Sequence, residues 1–121
     1  MTEQEQTDQN FMKLALEQGQ LAYHAGEVPV GAVVVLDGQV IGRGYNKPIT
    51  SLDPSAHAEV VALRDAALNI GNYRLANAVL YVTVEPCTMC SGLLVHSRIA
   101  RLVYGTTEPK SGVIESAMCL L

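Results

Sequence analysis

His57-Ala58-Glu59 and, thirty residues on, Pro86-Cys87-Thr88-Met89-Cys90 constrain this chain more than any other feature. Zinc takes nitrogen and sulfur ligands in tetrahedral geometry, and His57, Cys87 and Cys90 form such a donor set. A fold that uses it must bring residue 57 beside residues 87 and 90. Cys87 and Cys90, three apart at the expected start of a helix, share one face, and the helix dipole there favours the thiolate that metals require. His57 and Glu59 would point about 200° apart in mid-helix, so both can serve one site only at a helix's N-terminal end. The spacing therefore predicts two helix starts facing each other across a metal.

A structural zinc site closes its shell with four protein ligands, whereas a catalytic one keeps three and leaves a position for water. Three ligands with a neighbouring glutamate favour catalysis, with Glu59 taking the proton of water and redelivering it. Taken alone, CTMC is equally a structural zinc knuckle or a pair of buried thiols; HAE and the proline before Cys87 shift the balance to a catalytic metal. His24 reads as a solvated residue near a helix end, His96 as a local hydrogen-bonding residue, and Cys119 as a small apolar one. Glu85, at a strand end, reads as a carboxylate bonding nearby backbone amides. Asn46 ends a strand on the side from which the chain runs to HAE, and its amide can donate to and accept from a base; stabilising a turn is the alternative.

The rest of the chain supplies a scaffold for one site. Its 121 residues suit a single domain. With 49% apolar and 17% charged residues it is a folded chain. The first ten residues are polar and acidic, unlike a secretion leader, and no apolar run reaches the ~18–20 residues of a membrane span, so a cytoplasmic location without membrane attachment is expected. Three cysteines and no leader argue against a disulfide framework. The net charge of −4 excludes a general nucleic-acid binder. Any such surface must be local, drawn from Arg43, Lys47, Arg64, Arg74, Arg98, Arg101 and Lys110.

Apolar positions from Phe11 to Ala25 recur at helical spacing, with Thr7 or Asp8 as cap and Gly26 as terminator. VGAVVVL and QVIGRGYN flank Asp37-Gly38, a tight hairpin signal. Asp53-Pro54-Ser55 would turn and cap a second helix ending at Gly71-Asn72. AVLYVTV suits a buried central strand, Pro86 can open a third helix, and RLVYG is a fourth strand, followed by a TTEPKSG loop and a closing VIESAMCLL. The order α, β, β, α, β, α, β predicts a layered α/β domain over residues 1–121.

HAE followed by PCTMC resembles the signature of zinc deaminases acting on nucleobases. Through VPVGAVVV, GYNKPI, DPSAHAEVVALR, NYRLANAVLYVTVEPCTMC and HSRIARLVYG the chain resembles bacterial tRNA-specific adenosine deaminases. The resemblance implies a cytidine-deaminase-like α/β/α three-layer sandwich on a central mixed sheet, a homodimer, one zinc ion per subunit, and conversion of adenosine to inosine at the wobble position of a tRNA anticodon stem-loop. It places zinc on His57, Cys87 and Cys90 and the proton shuttle on Glu59. Water would attack C6 of a flipped-out adenine while Glu59 protonates the ring nitrogen and then the departing ammonia. Asn46, Val28, Ala58 and Glu108 are its implied substrate contacts; Val28 is a pocket-wall position, and Glu108 stands on a backbone-touching loop where the family usually carries aspartate. The resemblance also implies a final strand and C-terminal helix, which are expected to be absent from residues 1–121. Single-stranded DNA is a further partner to consider. The competing readings are a deaminase of free bases or nucleosides, of guanine or cytosine type, and a non-catalytic zinc-bound subunit that helps a partner hold tRNA.

Overall fold

The computed structural model describes residues 2–106 and 112. Helix α1 (Glu3–His24) leads into the hairpin β1 (Gly31–Leu36) and β2 (Gln39–Tyr45), then the single turn α2 (Pro48–Ser51) and helix α3 (Ala58–Ile70). Strand β3 (Val79–Val84), helix α4 (Thr88–His96) and strand β4 (Arg101–Thr106) follow. The strands lie in the order β2-β1-β3-β4, antiparallel except for the parallel β3–β4 pair. This is the mixed sheet expected, with β1 and β3 at its centre.

Period-two alternation explains the layers. Val33, Val35 and Tyr81 face α1 and pack with Ala15 and Phe11, while Ala32, Val34, Leu80 and Val82 face the other way, against Ala62, Leu63, Ala66 and Leu94 of α3 and α4. Because the sheet is covered on both faces, β1 and β3 read as unbroken apolar runs. Asp37 (φ 51°) and Gly38 (φ 76°) both adopt the left-handed region that a two-residue hairpin of this hand demands. On β2, Gly42 and Gly44 let α3 lie directly on the strand: a methyl at Gly44 would stand 2.4 Å from the Ala62 nitrogen.

Three helix starts differ from expectation. Helix α1 starts earlier, because Thr2 caps it by accepting from the Glu5 amide (3.1 Å), with Glu3 and Glu5 in the first turn. Asp8 is no cap. It accepts from the Tyr81 hydroxyl (2.7 Å) and from both terminal nitrogens of Arg101, fastening α1 to β3 and β4. The Arg101 bond holds the Asp8 carboxyl down at about 2, and burial with the Asp8 bond pushes the Tyr81 phenol up to about 12. Asp53 turns the chain by accepting from the Ser55 amide and hydroxyl (2.9 and 2.7 Å), but the residue at the start of α3 is His57. Pro86 precedes α4 rather than opening it; Cys87 occupies the cap position. The loop and closing segment from 107 on, Gly112 apart, lie outside the described residues.

Candidate metal centre

His57 stands in extended backbone (φ −71°, ψ 156°) one residue before α3, and Cys87 likewise (φ −81°, ψ −179°) one residue before α4. Each side chain therefore projects off a helix start rather than around its barrel. Cys90 lies in the first turn of α4, on the face of Cys87. The two helix starts meet as the spacing required. The ligand atoms of His57, Cys87 and Cys90 all lie within 4.8 Å of one another.

Both sulfurs stand 3.6 Å from the His57 Nδ1. Zinc–sulfur bonds of about 2.3 Å and zinc–nitrogen bonds of about 2.0–2.1 Å, opened to a tetrahedral angle, set sulfur and nitrogen about 3.6 Å apart. The residues fit zinc. Among the described residues the group has three members, which is the open shell of a catalytic site. The bond from Cys90, with His57 nearby, lowers the Cys87 thiol to about 5, and the same bond together with burial raises the Cys90 thiol. Two sulfurs sharing one proton is the arrangement in which a divalent cation displaces that proton.

Glu59, in the first turn of α3, is only 4% exposed, and its carboxyl lies against the Cys90 thiol. Burial raises its pKa above the usual carboxylate range, the property of a group that must both take and return a proton. His57, Glu59 and Cys87 line a cavity of about 120 Å³ together with Asn46, Val30, Val84 and Glu85. That is below the ~300–1,000 Å³ of drug-sized ligand pockets, so the cavity has room only for a small group.

Asn46 stabilises the turn into α3 and also lines the cavity. Its Oδ1 accepts from the Ala58 amide (2.8 Å), satisfying an orphan donor at the start of α3 that no cap side chain serves. This commitment leaves Nδ2 as the group Asn46 can offer to the cavity it lines. Ala58 itself is fully buried in the core beneath α3 and meets the cavity only through Asn46. Val28 is 63% exposed, and Val30, two residues on, lines the cavity. Glu108 lies outside the described residues, as do Lys110 and Cys119. Glu85 is buried on the cavity wall, a position that its place at a strand end foreshadowed only in part. His24 and His96 are exposed at the ends of α1 and α4 and stand apart from the ligand group. Of the basic candidates, Arg101 is engaged by Asp8 and Arg64 lies 3.6 Å from Asp53. Lys47 rests over the Tyr45 ring, beside Asn46 in sequence.

An α/β/α sandwich with a three-ligand His/Cys/Cys group and a buried glutamate beside it defines a zinc-dependent deaminase domain. The chain belongs to the family of the cytidine and deoxycytidylate deaminase zinc-binding region, whose model matches residues 5–106. Within that family it is 54% identical over 110 residues to the tRNA-specific adenosine deaminase of Haemophilus influenzae, covering 90% of this chain and 64% of that one. It is 48% identical over 109 residues to the same-named protein of Agrobacterium fabrum, covering 90% and 72%. A solved structure from work on A-to-I editing by tRNA:A34 deaminases at the wobble position superposes with a TM-score of 0.87 at 48% identity, covering 89% of this chain and 78% of that one. Guanine deaminase of Bacillus subtilis superposes at 0.80 with 31% identity, covering 100% and 85%. The chain spans 64% and 61% of the Haemophilus relative and of one Buchnera aphidicola relative, somewhat under two thirds. Among the described residues no helix is long and apolar enough to cross a membrane.

Proposed function

We propose that this chain carries the hydrolytic deamination of adenosine to inosine at the wobble position of a tRNA anticodon stem-loop. The observation that carries the reading is the three-ligand group with the buried Glu59 against it; the tRNA-specific relatives supply the substrate class. The reaction consumes water and releases ammonia. His57, Cys87 and Cys90 would hold the zinc ion, which when bound would supply an electrophile that acidifies water at neutral pH. Glu59 takes one proton of the attacking water and passes it to the ring nitrogen beside the reacting carbon, then takes the second proton from the added oxygen and passes it to the amino group, which departs as ammonia. Asn46 donates from Nδ2 to a ring acceptor of the base and so sets its orientation. Val30 and Val84 hold its faces and exclude water.

A homodimer is part of the reading. An apolar groove between α3 and α4, lined by Val60 and Leu93, has Met89 and Tyr73 at its rim, 41% and 67% exposed, and a second copy would cover this area. A cytoplasmic site of action accords with a tRNA substrate. Single-stranded DNA enters as a comparison substrate.

The likeness to guanine deaminase favours one second reading, turnover of a free base. The test offers the zinc-loaded protein an anticodon stem-loop with wobble adenosine, the matching DNA oligonucleotide, and free adenine, guanine, cytosine and their nucleosides, and follows amino-to-oxo exchange by mass. Inosine in the stem-loop supports the proposal. Turnover of free guanine or cytosine alone replaces it with the second reading, and a zinc-loaded protein inert on all of them leaves the tRNA-holding subunit.

A further inference from the structure

Glu27 is charged, sits in the loop between α1 and β1, and is only 6% exposed. Among the described residues no lysine or arginine pairs with it. Its donors are instead the backbone amides of Ile49 (3.3 Å) and Thr50 (2.7 Å), with the Thr50 hydroxyl as a third. Burial alone would push its pKa up, but the Thr50 and Ile49 donors bring it below the usual carboxylate value. These amides belong to the first turn of α2, where Pro48 brings no N–H and Lys47 provides no side-chain cap. A residue more than twenty positions upstream therefore performs the capping.

The backbone of Glu27 is itself fixed. Gly26, at φ 78°, closes α1 in a Schellman motif: the Gly26 amide donates to Tyr23 (3.1 Å) and the Glu27 amide to Ala22 (2.9 Å). A second rung lies just beyond. The Asn46 amide donates to the Val30 carbonyl (3.0 Å), and the Lys47 amide to the Ala56 carbonyl (3.0 Å). The segment 27–30 and the segment 46–50 are thus tied at both ends, one tie made by a carboxylate and the other by backbone. Val30 and Asn46, a cavity wall and the cavity's amide donor, belong to that second tie.

We propose that Glu27 is a positioning residue for substrate: by locking α2 to the rigid end of α1 it fixes the Asn46 amide and the Val30 wall where they meet the base. The proposal rests on the deamination reading above and deepens it. It assigns support of the Val30 and Asn46 wall to a carboxylate that does not itself line the cavity. Because Glu27 acts through groups that bind rather than through Glu59, its loss falls on KM. Glutamine at this position keeps the volume but turns one acceptor into a donor facing an amide N–H, which breaks one of the two backbone contacts.

The experiment compares wild type, Glu27→Gln and Glu27→Asp as zinc-loaded full chains, by steady-state kinetics on the substrate that wild type turns over and by amide hydrogen exchange. For Glu27→Gln, KM rises about tenfold, as expected for one lost hydrogen bond to a charged group, while kcat stays within about twofold and zinc content is unchanged. Protection at Ile49, Thr50 and Asn46 falls together. Glu27→Asp, which keeps the carboxylate, recovers part of the KM loss and part of the protection. An unchanged KM, a fall in kcat alone, or retained protection at Asn46 when Thr50 loses its own overturns the proposal. The exchange measurement needs no turnover, so a wild-type protein inactive on wobble adenosine counts against the reaction assigned above and leaves the positioning test readable.

Discussion

Replacing Gly44 with alanine tests how closely the fold controls the chemistry. The added methyl would stand 2.4 Å from the Ala62 nitrogen, 2.6 Å from the Ala58 carbonyl oxygen and 2.8 Å from the Val61 Cβ. Ordinary contact begins near 3.4 Å, so α3 must retreat from β2 by about 1 Å. The obstructing atoms are mainly backbone, which cannot swing aside. Ala58 lies between His57 and Glu59, so the retreat moves a metal ligand and the proton carrier together relative to Cys87 and Cys90. Overpacking of this kind costs about 1–3 kcal/mol, and a misplacement of about 1 Å costs on the order of 100-fold in rate. Gly42→Ala is the matched comparison. Its methyl meets the Ala62 carbonyl at 2.4 Å and Ala66 at 2.7 Å. Ala66 is eight residues beyond Ala58, about 12 Å along the helix. We expect similar losses of stability in both, measured by denaturant unfolding, with the 100-fold loss of kcat/KM confined to Gly44→Ala and less than about tenfold for Gly42→Ala. Gly92→Ala, where nothing lies within 4 Å, stabilises by up to about 1 kcal/mol through helix propensity. Equal losses of activity in the two β2 variants, or wild-type stability in Gly44→Ala, would refute the coupling between β2 and the site.

Three further outcomes follow from the geometry. Glu59→Gln lowers the rate by about 10²–10⁴-fold with zinc retained, because Glu59 is not a ligand; metal analysis beside the deamination assay checks both halves, and a variant that keeps wild-type rate assigns the proton transfer elsewhere. Cys90→Ser weakens zinc binding and lowers the thermal midpoint, and chelation of wild type has the same two effects, reversed by added zinc; a midpoint indifferent to chelation would mean that the site does not couple metal to folding. Asp8→Asn destabilises by about 1 kcal/mol at neutral pH, the Asp8 shift being discounted because Arg101 is 42% exposed. Since the folded Asp8 value, about 2, lies below the ordinary 3.8, the wild-type advantage is complete above pH 4 and disappears as pH falls from about 4 to 2, which unfolding curves across that range will register.

What the sequence disclosed depended on whether a residue's partner was near it or fixed by chemistry. The metal group was legible across thirty residues because zinc restricts its ligands to a few types, and three of them stood at helix starts. The hairpin was legible because Asp37 and Gly38 act on their own backbone. The two central strands were legible because burial on both faces leaves an apolar run. Residues whose partners are distant backbone atoms left no such trace. Asp8, at a good capping position within a helical pattern, serves β3 and β4 instead, and no local signal separates the two uses. Nothing local singles out Gly42 and Gly44 within their strand, yet their missing side chains are the surface on which α3 lies. Asn46 was placed by its position after β2, but the direction of its amide is set by one N–H at the head of α3, twelve residues on. That N–H belongs to Ala58, the residue between His57 and Glu59. The single hydrogen bond from Ala58 to Asn46 therefore sets which end of the Asn46 side chain is left for the cavity, and no residue near Asn46 in sequence announces that choice.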